Sequence, residues 1–229
     1  MDVWRTYRLS DFLLFSPHTY YRQFELYNAD LWPMQILFFA FGVALVVLVW
    51  RRPPWQGRVI AAILAACWLW VAWAYHLHRY ATINWAATYF AAGFAIEAGL
   101  LIWIGVIRGR LIFLPATPVL NRTGLGLFLF ALVAQPLIGP LMGRAWLQVE
   151  IFGIAPDPTV TATLGILLLA ANKTYWRLLI IPFLWCAISG ATLWTMDSPD
   201  AFLMPLAAIL VLMLALWKTV WFHRKSFKE

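Results

Sequence analysis

Charge is what this sequence has least of. Charged residues make up 12% of its 229, and only ten are acidic, where soluble domains carry roughly 25% charged residues. A water-facing surface cannot be built from so few, which excludes an ordinary soluble domain. Cysteine is nearly absent: Cys67 and Cys186 both sit inside apolar runs, so a disulfide framework and a CxxC metal site are excluded. No Walker loop, GxSxG elbow, HExxH or dinucleotide fingerprint occurs, although membrane enzymes need none of these. Internal repeats and low-complexity segments are not evident. Residues 1–30 lack the basic stretch, short apolar run and small-residue cleavage site of a secretory signal.

What is present is apolar. Hydrophobic residues reach 63%, mean hydropathy is +0.76, and fifteen Trp and sixteen Phe suit helix ends anchored at lipid interfaces. The net charge of +7 comes from short basic clusters between apolar runs rather than from one polar face. It therefore reads as a topology signal, with the lipid bilayer and not nucleic acid as the partner.

A helix crossing a bilayer needs about 20 mostly apolar residues, because its backbone groups must all pair internally. Stretches that qualify are 32–50, 59–75, 85–107, 124–142, 175–194 and 199–222. A seventh, 158–171, is weaker: its length gives a rise of only about 21 Å against a hydrocarbon core about 30 Å thick. It is expected to be extended by its flanks, to thin the bilayer, or to be re-entrant. The fold class expected is all-α, a polytopic transmembrane helix bundle of about seven spans with an N-terminal amphipathic interfacial helix. Three parts follow: an amphipathic segment over 1–31 on the outer face, the bundle over 32–222, and a basic cytoplasmic tail over 223–229.

Lys and Arg in alternate connections number twelve on one side (Arg51, Arg52, Arg58, Arg108, Arg110, Arg122, Lys173, Arg177, Lys218, Arg224, Lys225, Lys228) and five on the other (Arg5, Arg8, Arg22, Arg79, Arg144). Because cytoplasmic loops carry the excess, the N-terminus is expected outside and the C-terminus inside. Acidic residues Asp2, Asp11, Glu25, Asp30, Glu150, Asp157, Asp197 and Asp200 fall on the poorer side. Ser16-Pro17, Asp157-Pro158 and Ser198-Pro199 each place a capping side chain before a proline, and each predicts a helix start. After Pro17, Tyr20, Phe24, Tyr27 and Leu31 share one helical face. That face is expected on the membrane surface or packed over the bundle as a lid.

The segment Phe12 to Gln35, FLLFSPHTYYRQFELYNADLWPMQ, resembles the opening of an uncharacterised family of bacterial multi-span membrane proteins, a domain of unknown function. The resemblance rests on FSPxxYYRxFELYN followed by WPxQ at the first span. It implies a bacterial inner membrane and supplies neither an activity nor catalytic residues.

Glu97 is the only acidic residue inside a predicted span, roughly 15 Å from its cytoplasmic end and so near the bilayer centre. An ionisable group there costs at least about 2.5 kcal/mol, so it should face the bundle interior and have a partner. It reads either as a proton or cation site or as a protonated carboxyl that glues helices together. Gln135-Pro136 and Gly139-Pro140 interrupt the fourth span, and the carbonyls near Leu132 and Pro136 should lose their helical donors. Broken helices occur in transporters, and kinks repaired by neighbours also occur. Glu97, Gln135, Pro136, Cys67 and Cys186 lie at comparable depth and form the candidate midplane site, with the cysteines also readable as small hydrophobes. His76 and His78, with His18, are weak metal candidates or interfacial histidines. Trp68, Trp70, Trp73 and Trp185 could line a cavity for an apolar ligand or fill the core.

No cofactor follows from the sequence, and a non-enzyme is favoured. The leading function class is transport or permeation of a small solute or ion. Alternatives are a non-catalytic subunit or scaffold of a membrane complex, with a membrane-protein partner or as a homo-oligomer, and an intramembrane enzyme or cofactor binder.

Overall fold

In the computed structural model, residues 15–114, 117–170 and 174–226 are described, with side chains as far as 220. The start of the N-terminal segment, Lys173 and the end of the basic tail lie outside the described residues. Among the described residues the chain is helical and contains no strand, which bears out the all-α class.

Among the described residues, six helices are long and apolar enough to cross a membrane: α2 (Met34–Arg51), α3 (Gln56–Thr82), α4 (Ala87–Ile107), α5 (Pro118–Leu141), α7 (Trp176–Thr195) and the apolar length of α8 (Leu203–Ser226). With α6 (Pro156–Leu169) they make the expected bundle of about seven. All fourteen residues of α6 are buried. A helix apolar on every side belongs at the centre of a bundle, and its three threonines are satisfied within it. Thr161 and Thr163 donate to the carbonyls of Asp157 (2.9 Å) and Thr159 (2.8 Å), and Thr163 accepts from Trp68 Nε1 at 2.9 Å. Glycines let α5 and α6 touch backbone to backbone: a Cβ on Gly165 would stand 2.7 Å from the Gly124 carbonyl oxygen.

Ahead of the bundle, α1 (Pro17–Leu31) begins where its punctuation predicts, with Ser16 Oγ accepting from the Thr19 N–H at 3.1 Å. Its Tyr20, Phe24 and Tyr27 are buried against Tyr75 and Tyr80 of α3. Of the two placements open to this helix, packing over the bundle is the one adopted. Two other predicted starts shift. α6 begins at Pro156 behind Ala155, and α8 begins at Leu203 rather than Pro199. Asp157 and Ser198 use their side chains for tertiary bonds, described below, and so do not cap.

Three spans contain π-helical turns, at Val71–Leu77 in α3, Ile102–Ile107 in α4 and Phe130–Ala134 in α5. The last absorbs Pro136. Widening the turn by one residue lets Gln135 N–H reach the Phe130 carbonyl, so the helix continues through the proline.

The bundle has two chemically different ends. Arg51, Arg58, Arg108, Arg110 and Arg177 lie at the basic end, and Arg144, Glu150, Asp157 and Asp200 at the acidic end.

Candidate functional site

The densest buried polar cluster lies at the acidic end, beneath α1. Arg144 follows α5 in the α5–α6 connection, and its Nη2 donates to Asp200 Oδ2 at 2.5 Å while Nη1 lies 3.7 Å from Glu150 Oε1. Its guanidinium sits 4.5 Å from the centre of the Tyr21 ring of α1. Tyr21 OH is 2.7 Å from Ser198 Oγ, and Ser198 Oγ donates to Asp200 Oδ1 at 2.5 Å. Asp157, only 4% exposed in the first turn of α6, accepts from two residues one turn apart on α7: Trp185 Nε1 at 2.7 Å and Ser189 Oγ at 2.6 Å. The α6 N-terminus adds a favourable field for its carboxylate.

Two carboxylates therefore flank one guanidinium, and a third, Asp157, lines the same small cavity. The side chains of Arg144, Glu150 and Asp200 are only 16%, 11% and 8% exposed. Glu150 Oε2 has no hydrogen-bond partner among the described residues. Burial, and after it the Asp157 charge, hold the Glu150 carboxyl well above the usual carboxylate range against the pull of Arg144. For Arg144, burial acts to lower its pKa, but Glu150 and Asp200 outweigh it and the net direction is upward. A cavity of about 20 Å³ opens among Gln135, Arg144, Glu150, Asp157 and Asp200, room for about one water-sized occupant.

The five residues of the proposed midplane site fall on two sets of helices, Gln135 and Pro136 on α5 and Glu97, Cys67 and Cys186 on α4, α3 and α7. Gln135 and Pro136 line this acidic-end cavity, where Gln135 Nε2 reaches Met204 Sδ at 3.7 Å. Glu97 faces the interior, 0% exposed, but its helix α4 packs on α3 and α7 rather than on α5, and neither carboxyl oxygen has a hydrogen-bond partner among the described residues. Cys67 on α3 and Cys186 on α7 are buried free thiols.

The histidines also separate. His76 is fully buried in an aromatic box, its ring 4.6 Å from Phe94 and 5.0 Å from Trp185, with both nitrogens unpartnered among the described residues. His18 is exposed, and so is His78, which lies edge-on to Trp73 at 4.9 Å. No group of three His, Cys, Asp or Glu suited to a metal occurs among the described residues. Trp68 and Trp185 fill the core, whereas Trp73 is exposed.

Sequence reasoning missed the acidic-end cluster because it treated Arg144, Glu150, Asp157 and Asp200 only as loop charges. The available signal was a lone arginine among several acids on the side poor in basic residues. No curated protein matches the chain, and no solved structure does. The model of a family of unknown function, DUF6064, matches residues 18–226, and the chain belongs to that family.

Proposed function

We propose that the protein binds and moves protons, or a small cation, through the acidic half of the bundle. The carrying observation is the imbalance of three enclosed carboxylates against one guanidinium. In a poorly hydrated space an uncompensated charge is costly, so the cluster has to take up protons or a cation to approach neutrality. An occupant of about one water's size fits the cavity and a larger solute does not.

Deeper protonatable groups continue from the cluster. Asp157 is bonded to the Trp185 indole, Trp185 packs on His76 and Phe94, and Glu97 lies one helical turn beyond Phe94. Among the described residues, His76 and Glu97 both carry polar atoms with no hydrogen-bond partner, as groups that exchange protons with transient water would. On this reading the membrane is a bacterial inner membrane, with the acidic end and N-terminus outside and the C-terminus cytoplasmic. The twelve-to-five division of basic residues supports that orientation.

Purified protein in liposomes loaded with a pH-sensitive dye tests the reading. Under an imposed potential the wild type should acidify the lumen, and Glu150→Gln should slow it at least tenfold while eluting as the same folded species. Flux no greater than in empty liposomes, or undiminished flux in Glu150→Gln, overturns it. A reporter active only in the cytoplasm, inserted near Trp146, should be silent, and activity there overturns the orientation.

A further inference from the structure

We propose that the basic end carries a site for a phosphate ester, occupied by the headgroup of an anionic phospholipid, between the ends of α4 and α7. A cavity of about 360 Å³, within the range of ligand pockets, is lined by Trp103, Arg108, Arg110, Tyr175, Trp176 and Arg177. Its three guanidiniums have no carboxylate within ion-pair distance among the described residues. Every ion pair described lies at the other end, on Arg22, Arg79 or Arg144.

The arginines are held by a built turn. Gly109 adopts φ +56°, which a residue with a side chain rarely does, and this reversal puts Arg108 and Arg110 on the rim of one pocket. Backbone bonds fix it: Arg108 N–H to the Trp103 carbonyl and Arg110 N–H to the Ile104 carbonyl, both at 3.0 Å. Tyr175 OH donates to the Arg110 carbonyl, tying the turn to the chain entering α7. The Arg108 guanidinium lies 4.7 Å from the centre of the Trp103 ring, and Arg58 approaches Gly109 from α3.

Arginine rather than lysine at all these positions matters, because the planar guanidinium fork matches phosphate oxygens two at a time. A charge needed only to set orientation could be lysine. The position selects a lipid as the source of the phosphate. The pocket opens beside the ends of two spans and is edged by two tryptophans, where headgroups meet the hydrocarbon and basic pockets between helices hold anionic lipids.

Native mass spectrometry of the whole protein in neutral detergent, with dioleoyl phosphatidylglycerol as the probe, tests this. The wild type should retain one phosphatidylglycerol in preference to phosphatidylcholine. Arg108→Gln/Arg110→Gln/Arg177→Gln should bind it at least tenfold more weakly. The same three positions as lysine keep the charge and guard against a variant that fails to fold, and should weaken binding severalfold. Arg51→Gln/Arg122→Gln, which lowers the charge of the same end outside the pocket, should leave retention unchanged. Persistence against millimolar glycerol phosphate supports the lipid as the source, whereas displacement supports the phosphate site with a soluble ester as its source. Retention undiminished in either the glutamine or the lysine variant, equal retention of phosphatidylcholine, or equal loss in the Arg51/Arg122 control overturns the proposal. None of these readouts depends on proton movement.

Discussion

At the acidic end of the bundle, charges face one another: Arg144 is shared between Glu150 and Asp200, Arg22 pairs with Glu25, and Arg79 pairs with Asp30. At the basic end, polar side chains reach for backbone. Gln56 donates to the Phe113 carbonyl at 3.1 Å, Tyr175 to that of Arg110 and the buried Lys218 to that of Ala170, while the rim arginines pair with no carboxylate among the described residues. The difference teaches that one end uses its ionic groups to hold itself together around a charge imbalance, and the other holds its loops by bonds to backbone carbonyls and keeps its rim arginines for something outside the chain.

The largest expected effect is removal of the one cation within the acid cluster. Arg144→Met leaves three enclosed carboxylates without their counter-charge and should destabilise the folded protein by about 3–5 kcal/mol. Arg110→Met, at an exposed rim, should stay within about 0.5 kcal/mol. Denaturation midpoints in detergent, read by circular dichroism, compare the two, and similar losses would erase the distinction between the ends. Because protons can substitute for the missing guanidinium, the Arg144→Met deficit should shrink in acid.

The same logic fixes the sign of the pH dependence. The Glu150 carboxyl is held above its ordinary value of 4.5, by burial first and Asp157 second. Its contribution to stability is therefore fully present below that ordinary value and is lost as pH rises through the folded-state value. The limiting slope for one proton is about 1.4 kcal/mol per pH unit. Thermal unfolding in detergent across a pH series should show wild-type stability falling as pH rises, and Glu150→Gln should flatten the curve. A stability that rises with pH and is unaffected by the substitution would place the excess charge elsewhere.

How much of this was legible in the sequence follows from what each feature depends on. Hydropathy over about 20 residues is local, so the spans are readable, and so is α1, whose Ser16-Pro17 start and Tyr20–Phe24–Tyr27 spacing are short-range signals. The acid cluster joins residues 144, 150, 157 and 200 with Tyr21, and no local period encodes that convergence. Depth alone grouped Glu97 with Gln135, yet the Glu97 helix packs chiefly on α3 and α7 while Gln135 lines the acidic-end cavity, because depth along an axis says nothing about azimuth. Asp157 before Pro158 has the form of a cap, but the helix starts earlier, at Pro156, and the Asp157 carboxylate accepts from Trp185 and Ser189 of α7 instead.

Neutral packing at the basic end predicts a smaller, steric effect. A Cβ on Gly57 would stand 1.9 Å from the Leu111 carbonyl oxygen, so Gly57→Ala must push the α4–α5 connection away and should cost about 1–3 kcal/mol. Gly126, with nothing within 4 Å of its added Cβ, should accept alanine with no loss or with a gain of up to about 1 kcal/mol. Equal tolerance at both, by thermal unfolding, would mean that the Gln56 and Gly57 contacts do not hold that connection.

The smallest expected effect separates burial from ion pairing as the source of the acidic end's sensitivity. Arg79 pairs with Asp30 in the same half of the molecule, but their side chains are 32% and 61% exposed, against 16% and 8% for Arg144 and Asp200. In the exposed pair water and salt screen the attraction, and holding two long side chains together costs rotamer freedom, so such pairs contribute about 0–1 kcal/mol. Asp30→Asn should therefore shift the unfolding midpoint little, and the shift should vanish in high salt, where the Debye length falls to about 3 Å at 1 M. Asp200→Asn removes the partner of a poorly hydrated guanidinium and leaves Arg144 leaning on Glu150 alone, so its cost should exceed that of Asp30→Asn and survive the same salt. If the two substitutions behave alike in low and high salt, the Arg144 cluster is as well hydrated as the surface, and the demand for a bound proton or cation disappears with it.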